Sequence, residues 1–92
     1  MLGRNEGIMK SVRLTSHALE QMIERGATEE ETKKAIAQGA REPAKRGRFI
    51  YRLNFQYNAE WQGKFYAIKQ VAPVVAEAQN EIIVVTVYTF YF

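Results

Sequence analysis

The sequence predicts an α+β fold in which two N-terminal helices pack on an antiparallel sheet of three to four strands. Apolar residues recur at helical spacing between residues 16 and 36, and Gly26 divides that segment in two. From Phe49 onward, apolar and polar residues mostly alternate, as they do along half-buried strands. Helices followed by a run of strands give the element order β-α-α-β-β-β, which is typical of a two-layer domain.

The first helix has a start signal, a stop signal and one apolar side. We expect a short strand over Ser11–Leu14, after which Ser16 is the predicted N-cap and Gly26 the C-terminal glycine. Spacing of three and four residues predicts the side that packs on the sheet. That side consists of Ala18, Leu19, Met22 and Ile23.

The second helix is predicted from its capping signals. Thr28 and Glu31 have the spacing of a capping box, and Gly39 ends the helical pattern. Ile36 is the largest residue on the side that we expect to be buried. Pro43 and Gly47 then predict a loop before the first long strand.

Three strands follow, over residues 49–57, 65–72 and 82–90, with turns at residues 58–64 and 77–81. Alternation along the strands sorts side chains between the helix face and the open face of the sheet. The predicted core comprises Leu19, Met22, Ile23, Ile36, Leu53, Val85 and Val87, with Ile83 on the same face as the two valines. The predicted open face comprises Arg52, Lys69, Thr86 and Tyr88.

Composition limits the classes of function. Ninety-two residues predict a single domain, in which residues 1–10 form an N-terminal extension. The chain has one histidine and neither cysteine nor aspartate, so we expect no metal and no cofactor. No apolar run at the start is long enough for a signal peptide or a membrane helix, so we expect a cytoplasmic protein without a membrane partner.

Positive charge is concentrated in residues 41–52, a distribution that suits a polyanion such as RNA. A solvated loop that aids solubility is the alternative reading of the same segment. The candidate nucleic-acid-binding residues are Arg41, Lys45, Arg46, Arg48 and Arg52, together with Lys69 on the predicted open face.

The single histidine, His17, falls in the first turn of the first predicted helix. Unpaired backbone amides and the positive end of the helix dipole attract phosphate there, and they favour a neutral imidazole that can accept a proton. An imidazole beside an anion site is half of a general acid–base mechanism. An exposed surface histidine is the alternative, just as Arg25 can simply cap the end of the same helix.

The stretch "HALEQMIERGAT" resembles the H-A-x-x-R-M-x-x-R-G helix of a bacterial family, the domain of unknown function 4258. Thr86, Val87 and Tyr88 match its late T-x-Y strand signature, and the resemblance runs from about Val12 to Tyr88. The family is similar to RelE-, ParE- and BrnT-like toxins, which implies a RelE-like fold. Gln21 stands here where the motif has its first arginine.

The resemblance implies a toxin-like, metal-independent endoribonuclease. Its implied active residues are His17, Arg25, Thr86 and Tyr88. The expected partners are RNA or, for the basic segment, a small acidic antitoxin-like protein. A third alternative is a domain that forms a homodimer through its apolar last strand. The alternative function is a non-catalytic module in which the basic segment binds nucleic acid or an acidic protein.

Overall fold

The computed structural model describes residues 10–92, so all but the last residue of the predicted extension lies outside the described residues. Five strands form one sheet in the order β1-β5-β4-β3-β2, and two helices cover one of its faces. The elements are β1 (Ser11–Leu14), α1 (Ser16–Arg25), α2 (Glu29–Gln38), β2 (Ala40–Pro43), β3 (Phe49–Trp61), β4 (Lys64–Glu77) and β5 (Glu81–Tyr91).

The predicted α+β class and its two helices are confirmed, but the antiparallel sheet of three to four strands is wrong. Strand β1 pairs with β5 in parallel, from Ser11 opposite Glu81 to Leu14 opposite Val84. Nearly the whole chain separates these two strands, so no local pattern signals their pairing. The fifth strand, β2, lies where a loop was predicted, and its four exposed residues show no alternation.

The N-cap of helix α1 lies one residue earlier than predicted. The hydroxyl of Thr15, not Ser16, accepts the hydrogen bond from the Ala18 backbone N–H at 3.1 Å. The same hydroxyl donates to the Val84 carbonyl of β5 at 3.0 Å. Threonine and serine are both good N-cap residues. Thr15 rather than Ser16 caps this helix because its hydroxyl also bonds the neighbouring strand.

Helix α2 has the predicted capping box. The Thr28 hydroxyl accepts from the Glu31 N–H, the Glu31 carboxylate accepts from the Thr28 N–H, and both distances are 3.0 Å. The preceding glycine, Gly26, has φ +79°, a left-handed conformation that ends α1 as predicted.

The core lies between the helices and the middle of the sheet. Ala18 and Met22 of α1 are buried, whereas Leu19 is 42% and Ile23 81% exposed. The prediction of Leu19 and Ile23 as core residues is therefore wrong. Because each helical residue turns about 100° from the one before, a side centred on Ala18 and Met22 carries their following neighbours toward solvent. The strands contribute Tyr51, Val71, Val75, Ile82, Val84 and Val87, with Ile36 packed alongside.

A bulge at Val85 changes which residues of β5 face the helices. Thr86 pairs with Val74 and Val84 with Val75, so Val85 is the extra residue. Ile82 and Val84 are buried before the bulge, and Val87 after it. Val87 was predicted correctly, but Val85 and Ile83 are half-buried residues outside the core, since an extra residue reverses the alternation.

Candidate active site

The candidate site lies where α1 leaves the sheet. Strand β1 pairs with β5 only as far as Val84, and the chain then turns into α1 beside the rest of that edge. Ile68 of β4 and Phe92 exchange both backbone hydrogen bonds, at 2.8 and 3.0 Å. In an antiparallel ladder, hydrogen-bonded and non-hydrogen-bonded pairs alternate. Since Phe92 is in a hydrogen-bonded pair, Val87 is not, and its carbonyl points away from β4, toward α1.

Arg25, at the last turn of α1, binds this edge of β5. Its Nη1 donates to the Val87 carbonyl at 2.9 Å, and its guanidinium carbon lies 4.9 Å from the centre of the Tyr88 ring. The backbone carbonyl of Arg25 accepts from the Thr89 hydroxyl at 2.9 Å and from the Tyr91 hydroxyl at 2.7 Å. The Thr89 and Tyr91 hydroxyls thus hold the end of the helix, and the Val87 carbonyl and the Tyr88 ring hold the guanidinium against the strand.

A pocket of about 300 Å³ opens between this side of α1 and β5. His17, Gln21 and Arg25 follow one another at intervals of four residues, so they lie along one side of the helix. Thr86 and Tyr88 alternate on β5 after the bulge. The pocket is lined by His17, Gln21, Arg25, Arg48, Val85, Thr86 and Tyr88. The structure thus brings the four predicted catalytic residues together around a single pocket.

The pocket favours a negatively charged ligand. Its described lining contains the guanidinium groups of Arg25 and Arg48 and no carboxylate. Two fixed positive charges at a concave surface raise the local concentration of anions. Arginine also suits a phosphate, because its planar fork of N–H donors matches two phosphate oxygens.

Gln21 contributes a buried acceptor. Among residues 10–92, no hydrogen-bond donor contacts its buried side-chain oxygen Oε1. A buried carbonyl without a partner is costly, so Gln21 is a polar group that the fold leaves unsatisfied beside the pocket. The sequence comparison marks Gln21 only as a missing arginine. Its spacing of four residues from both His17 and Arg25 is the signal that places it in the site.

The predicted basic residues do not form one surface. Arg41 pairs with Glu77 at 3.6 Å and lies over the Phe49 ring at 4.2 Å. Arg52 pairs with Glu42 at 3.4 Å and donates to Gln70 at 3.0 Å. Lys45 and Arg46 are exposed on the short turn Lys45–Gly47, and only Arg48 lines the pocket.

Lys69 lies on the opposite face from the one predicted. Opposite Tyr91 in the sheet, it is 5% exposed on the helix face. Its ammonium is 2.9 Å from the Glu31 carboxylate and donates to the Gly26 carbonyl at 2.8 Å. The open-face prediction is wrong because the alternation along β4 places Lys69 on the same face as the core residues Val71 and Val75. We remove Lys69 from the candidate nucleic-acid-binding residues, since its charge is already compensated inside the protein.

A larger pocket of about 450 Å³ lies on the helix side, between α2, β1 and the end of β4. Its walls are mostly apolar, and its polar groups already have partners. Tyr51 donates to Glu77 at 3.1 Å, and Glu77 also pairs with Arg41. Burial raises the pKa of Tyr51 above its ordinary value of 10.0. We therefore place the candidate chemistry in the smaller pocket, where His17 lies.

Two further observations concern the described part of the chain. It contains no cluster of three or more histidine, cysteine, aspartate or glutamate side chains that could hold a metal ion. None of the helices between Lys10 and Phe92 has the length and apolar character needed to span a membrane.

The fold and site define a small α+β domain with a cationic pocket between its first helix and an unpaired strand edge. The model of a protein family, Domain of unknown function (DUF4258), matches residues 14–89, a range that includes every residue lining the pocket. The chain belongs to this family. Comparison with curated proteins and with solved structures finds no match.

Proposed function

We propose that the protein is a toxin-like endoribonuclease, related to RelE-, ParE- and BrnT-like toxins, that cleaves RNA without a metal ion. The observation that carries the proposal is the convergence of His17, Arg25, Thr86 and Tyr88 on one pocket, with Arg48 as a second cation. His17 and Arg25 come from α1, and Thr86 and Tyr88 come from β5. The two elements are distant in sequence and adjacent only in the folded chain.

RNA supplies its own nucleophile. When the 2′-hydroxyl loses its proton, its oxygen attacks the adjacent phosphorus and the bond to the 5′-oxygen breaks. The leaving 5′-oxygen takes up a proton, so the products are a 2′,3′-cyclic phosphate and a 5′-hydroxyl. The enzyme has to move two protons and stabilise the negative phosphorane. Amino-acid side chains can perform each of these tasks.

The pocket contains groups for each task. His17 is the base that removes the 2′-proton or the acid that protonates the leaving oxygen, and Tyr88 is the complementary donor or a phosphate ligand. The Thr86 hydroxyl donates a hydrogen bond to the phosphate. Arg25 and Arg48 supply the charge that stabilises the phosphorane. Arg25 retains donors for this role, because a guanidinium has five N–H groups and the Val87 carbonyl takes only one.

The proposal is tested by cleavage of single-stranded RNA in the presence of EDTA. We expect wild-type protein to produce fragments with 2′,3′-cyclic phosphate ends, and His17→Ala to lower the rate by about 10²- to 10⁴-fold, as loss of a general acid or base does. Cleavage by His17→Ala at the wild-type rate would contradict the proposed role of the imidazole.

Strand β5 offers a matched pair of control variants. Tyr88→Phe removes a hydroxyl from the pocket, whereas Tyr91→Phe removes one that donates to Arg25 on the helix side. We expect Tyr88→Phe to lower the cleavage rate and Tyr91→Phe to leave it within about twofold at a temperature where both variants are folded. Equal losses in the two variants would assign the effect to the fold rather than to the chemistry.

The second candidate function is a binding module without catalysis. It is favoured by Lys45 and Arg46, which extend positive charge beyond the pocket onto an exposed turn. Such a module would bind RNA or a small acidic protein and would not cleave. Salt-sensitive RNA binding with no cleavage by either wild-type or His17→Ala protein would favour it over the enzyme.

A further inference from the structure

The open face of the sheet carries a row of exposed aromatic side chains that begins at the pocket. Tyr88, Phe90 and Phe92 occupy alternate positions and are between 42% and 57% exposed. The rings of Tyr88 and Phe90 are 6.5 Å apart between centres and inclined by only 28°. Apolar rings exposed side by side on the sheet face that neither helix covers indicate a binding surface.

Cations and amides surround the aromatic row. The guanidinium of Arg25 lies over Tyr88 at 4.9 Å, and that of Arg52 lies 5.7 Å from the centre of the Phe90 ring. Across the sheet from Phe90, the Gln70 amide bonds Asn54 at 2.9 Å. Cations beside aromatic faces attract a chain that carries both negative charge and flat bases.

We propose that Tyr88, Phe90 and Phe92 form a stacking platform for the single-stranded RNA that flanks the cleaved phosphate. The platform rests on the proposed function, because the pocket holds the phosphate and the row continues from Tyr88 in its lining. Bases stack on the rings regardless of their identity, since every base has a π face. The platform therefore contributes affinity for single strands without setting a sequence.

The spacing of the rings selects an unstacked strand. The centres of the Tyr88 and Phe90 rings are 6.5 Å apart, about twice the 3.4 Å that separates neighbouring bases in a helical strand. Neighbouring bases on neighbouring rings must be separated from each other, as they are in extended single strands and not in a duplex. We expect duplex RNA of the same sequence to bind less tightly at equal salt.

The test is fluorescence anisotropy with a labelled ten-nucleotide 2′-O-methyl RNA, which the proposed chemistry cannot cleave because its 2′-oxygens are blocked. We expect Phe90→Ala to weaken binding roughly tenfold, the usual order for removing one base-stacking ring. Phe65→Ala is the matched control: Phe65 is 60% exposed and lies on β4 outside the row. We expect it to bind as the wild type does.

A double-mutant cycle identifies stacking as the cause. Removing single bases from the probe in turn should weaken wild-type binding most at the position that meets Phe90, and should matter much less in Phe90→Ala. Equal losses in both proteins at every position would overturn the platform. Equal binding of Phe90→Ala, Phe65→Ala and wild type would also overturn it, as would a duplex that binds as tightly as the single strand.

Failure of the platform can be separated from failure of the proposed function. If wild-type protein cleaves unmodified RNA in EDTA but Phe90→Ala binds the probe normally, the enzyme proposal stands and the platform falls. If Phe90→Ala alone loses affinity and nothing is cleaved, the platform stands and catalysis falls. If the aromatic row instead joins two copies, sedimentation will show a dimer that Phe90→Ala dissociates without any loss of RNA affinity, which also overturns the platform.

Discussion

The two halves of β5, before and after the Val85 bulge, differ in what lies along the edge that faces away from β4. Residues Glu81–Val84 have strands on both sides and pack through apolar side chains against Ala18 and Met22. After the bulge, the edge facing α1 meets helix groups instead of a strand. There the Arg25 guanidinium bonds the Val87 carbonyl, and Thr89 and Tyr91 bond the Arg25 carbonyl, while the Val87 side chain still packs in the core.

The difference explains why the pocket is where it is. A strand with neighbours on both sides uses its backbone groups within the sheet, and its side chains are committed to the core. Beyond Val84, β1 no longer covers the edge, so side chains from α1 can reach the backbone of β5 and still face solvent. The stable half fixes the register, and the other half presents His17, Arg25, Thr86 and Tyr88 to a ligand.

The largest effect is expected at Gly26, where α1 ends against the second half of β5. A Cβ there would lie 2.6 Å from the Tyr91 hydroxyl oxygen and 2.7 Å from Cζ3 of Trp61, at φ +79°. We expect Gly26→Ala to lower the free energy of unfolding by about 3 kcal/mol, combining backbone strain with overpacking. Gly63→Ala is the control, because Gly63 has φ +85° in open space and should cost only about 1 kcal/mol. If denaturant titrations showed the same loss of unfolding free energy in Gly26→Ala and Gly63→Ala, the predicted clash at Gly26 would be refuted.

The next effect compares two neighbouring valines. Val84 is fully buried in the first half of β5, whereas Val85 is the half-buried bulge residue. We expect Val84→Ala to lower the free energy of unfolding by about 2 kcal/mol and Val85→Ala to lower it by less than about 1 kcal/mol. A larger loss at Val85 would mean that the bulge is wrongly placed and that the alternation continues unbroken along the strand.

A smaller effect is expected from the polar contacts of the second half. Thr89→Val keeps the shape of the side chain but removes the hydroxyl that donates to the Arg25 carbonyl. We expect the free energy of unfolding to fall by about 1 kcal/mol, the usual net value of one hydrogen bond. Thr86→Val is the matched control, since Thr86 lies on the open face: it should leave stability nearly unchanged but slow RNA cleavage. If Thr89→Val slowed cleavage and Thr86→Val lowered the free energy of unfolding, the two faces of β5 would be the reverse of those described.

The smallest effect is a pH dependence at alkaline pH. Burial raises the pKa of Tyr91 above its ordinary value of 10.0, and its hydroxyl can donate to Arg25 only while protonated. The folded state therefore holds this proton more tightly than the unfolded state. The resulting stabilisation is complete below the unfolded pKa and is lost as pH rises through the folded one. The free energy of unfolding should therefore fall as the pH is raised above 10, and it should fall less in Tyr91→Phe than in the wild type.

Local signals in the sequence predict the helices, and long-range contacts decide the rest. Gly26 and the Thr28–Glu31 capping box act within a few residues, so they could be found without the fold. The choice of Thr15 over Ser16 depends on Val84, which is far along the chain. The parallel β1–β5 pair and the Val85 bulge likewise have no local signature, and without the bulge Ile83 and Val85 are assigned to the wrong face.

The family resemblance names His17, Arg25, Thr86 and Tyr88 together, but their meeting at one pocket comes from the fold. Four-residue spacing on α1 and two-residue spacing on β5 predict only which of them share a side of each element. Lys69 was misplaced because one wrong assumption about strand alternation moves a side chain across the sheet. The four-residue spacing of Gln21 from His17 and Arg25 could have placed it beside the pocket, but the burial of its side-chain oxygen could not be found from the sequence.

The most direct test of the central claim uses a DNA strand that contains one ribonucleotide flanked by random sequence. We expect wild-type protein in EDTA to cleave only after the ribonucleotide, because only that sugar has a 2′-hydroxyl to attack the phosphate. The upstream fragment should end in a 2′,3′-cyclic phosphate, and His17→Ala should yield almost none of it. Cleavage at the deoxynucleotides, or equal cleavage by both proteins, would contradict the account.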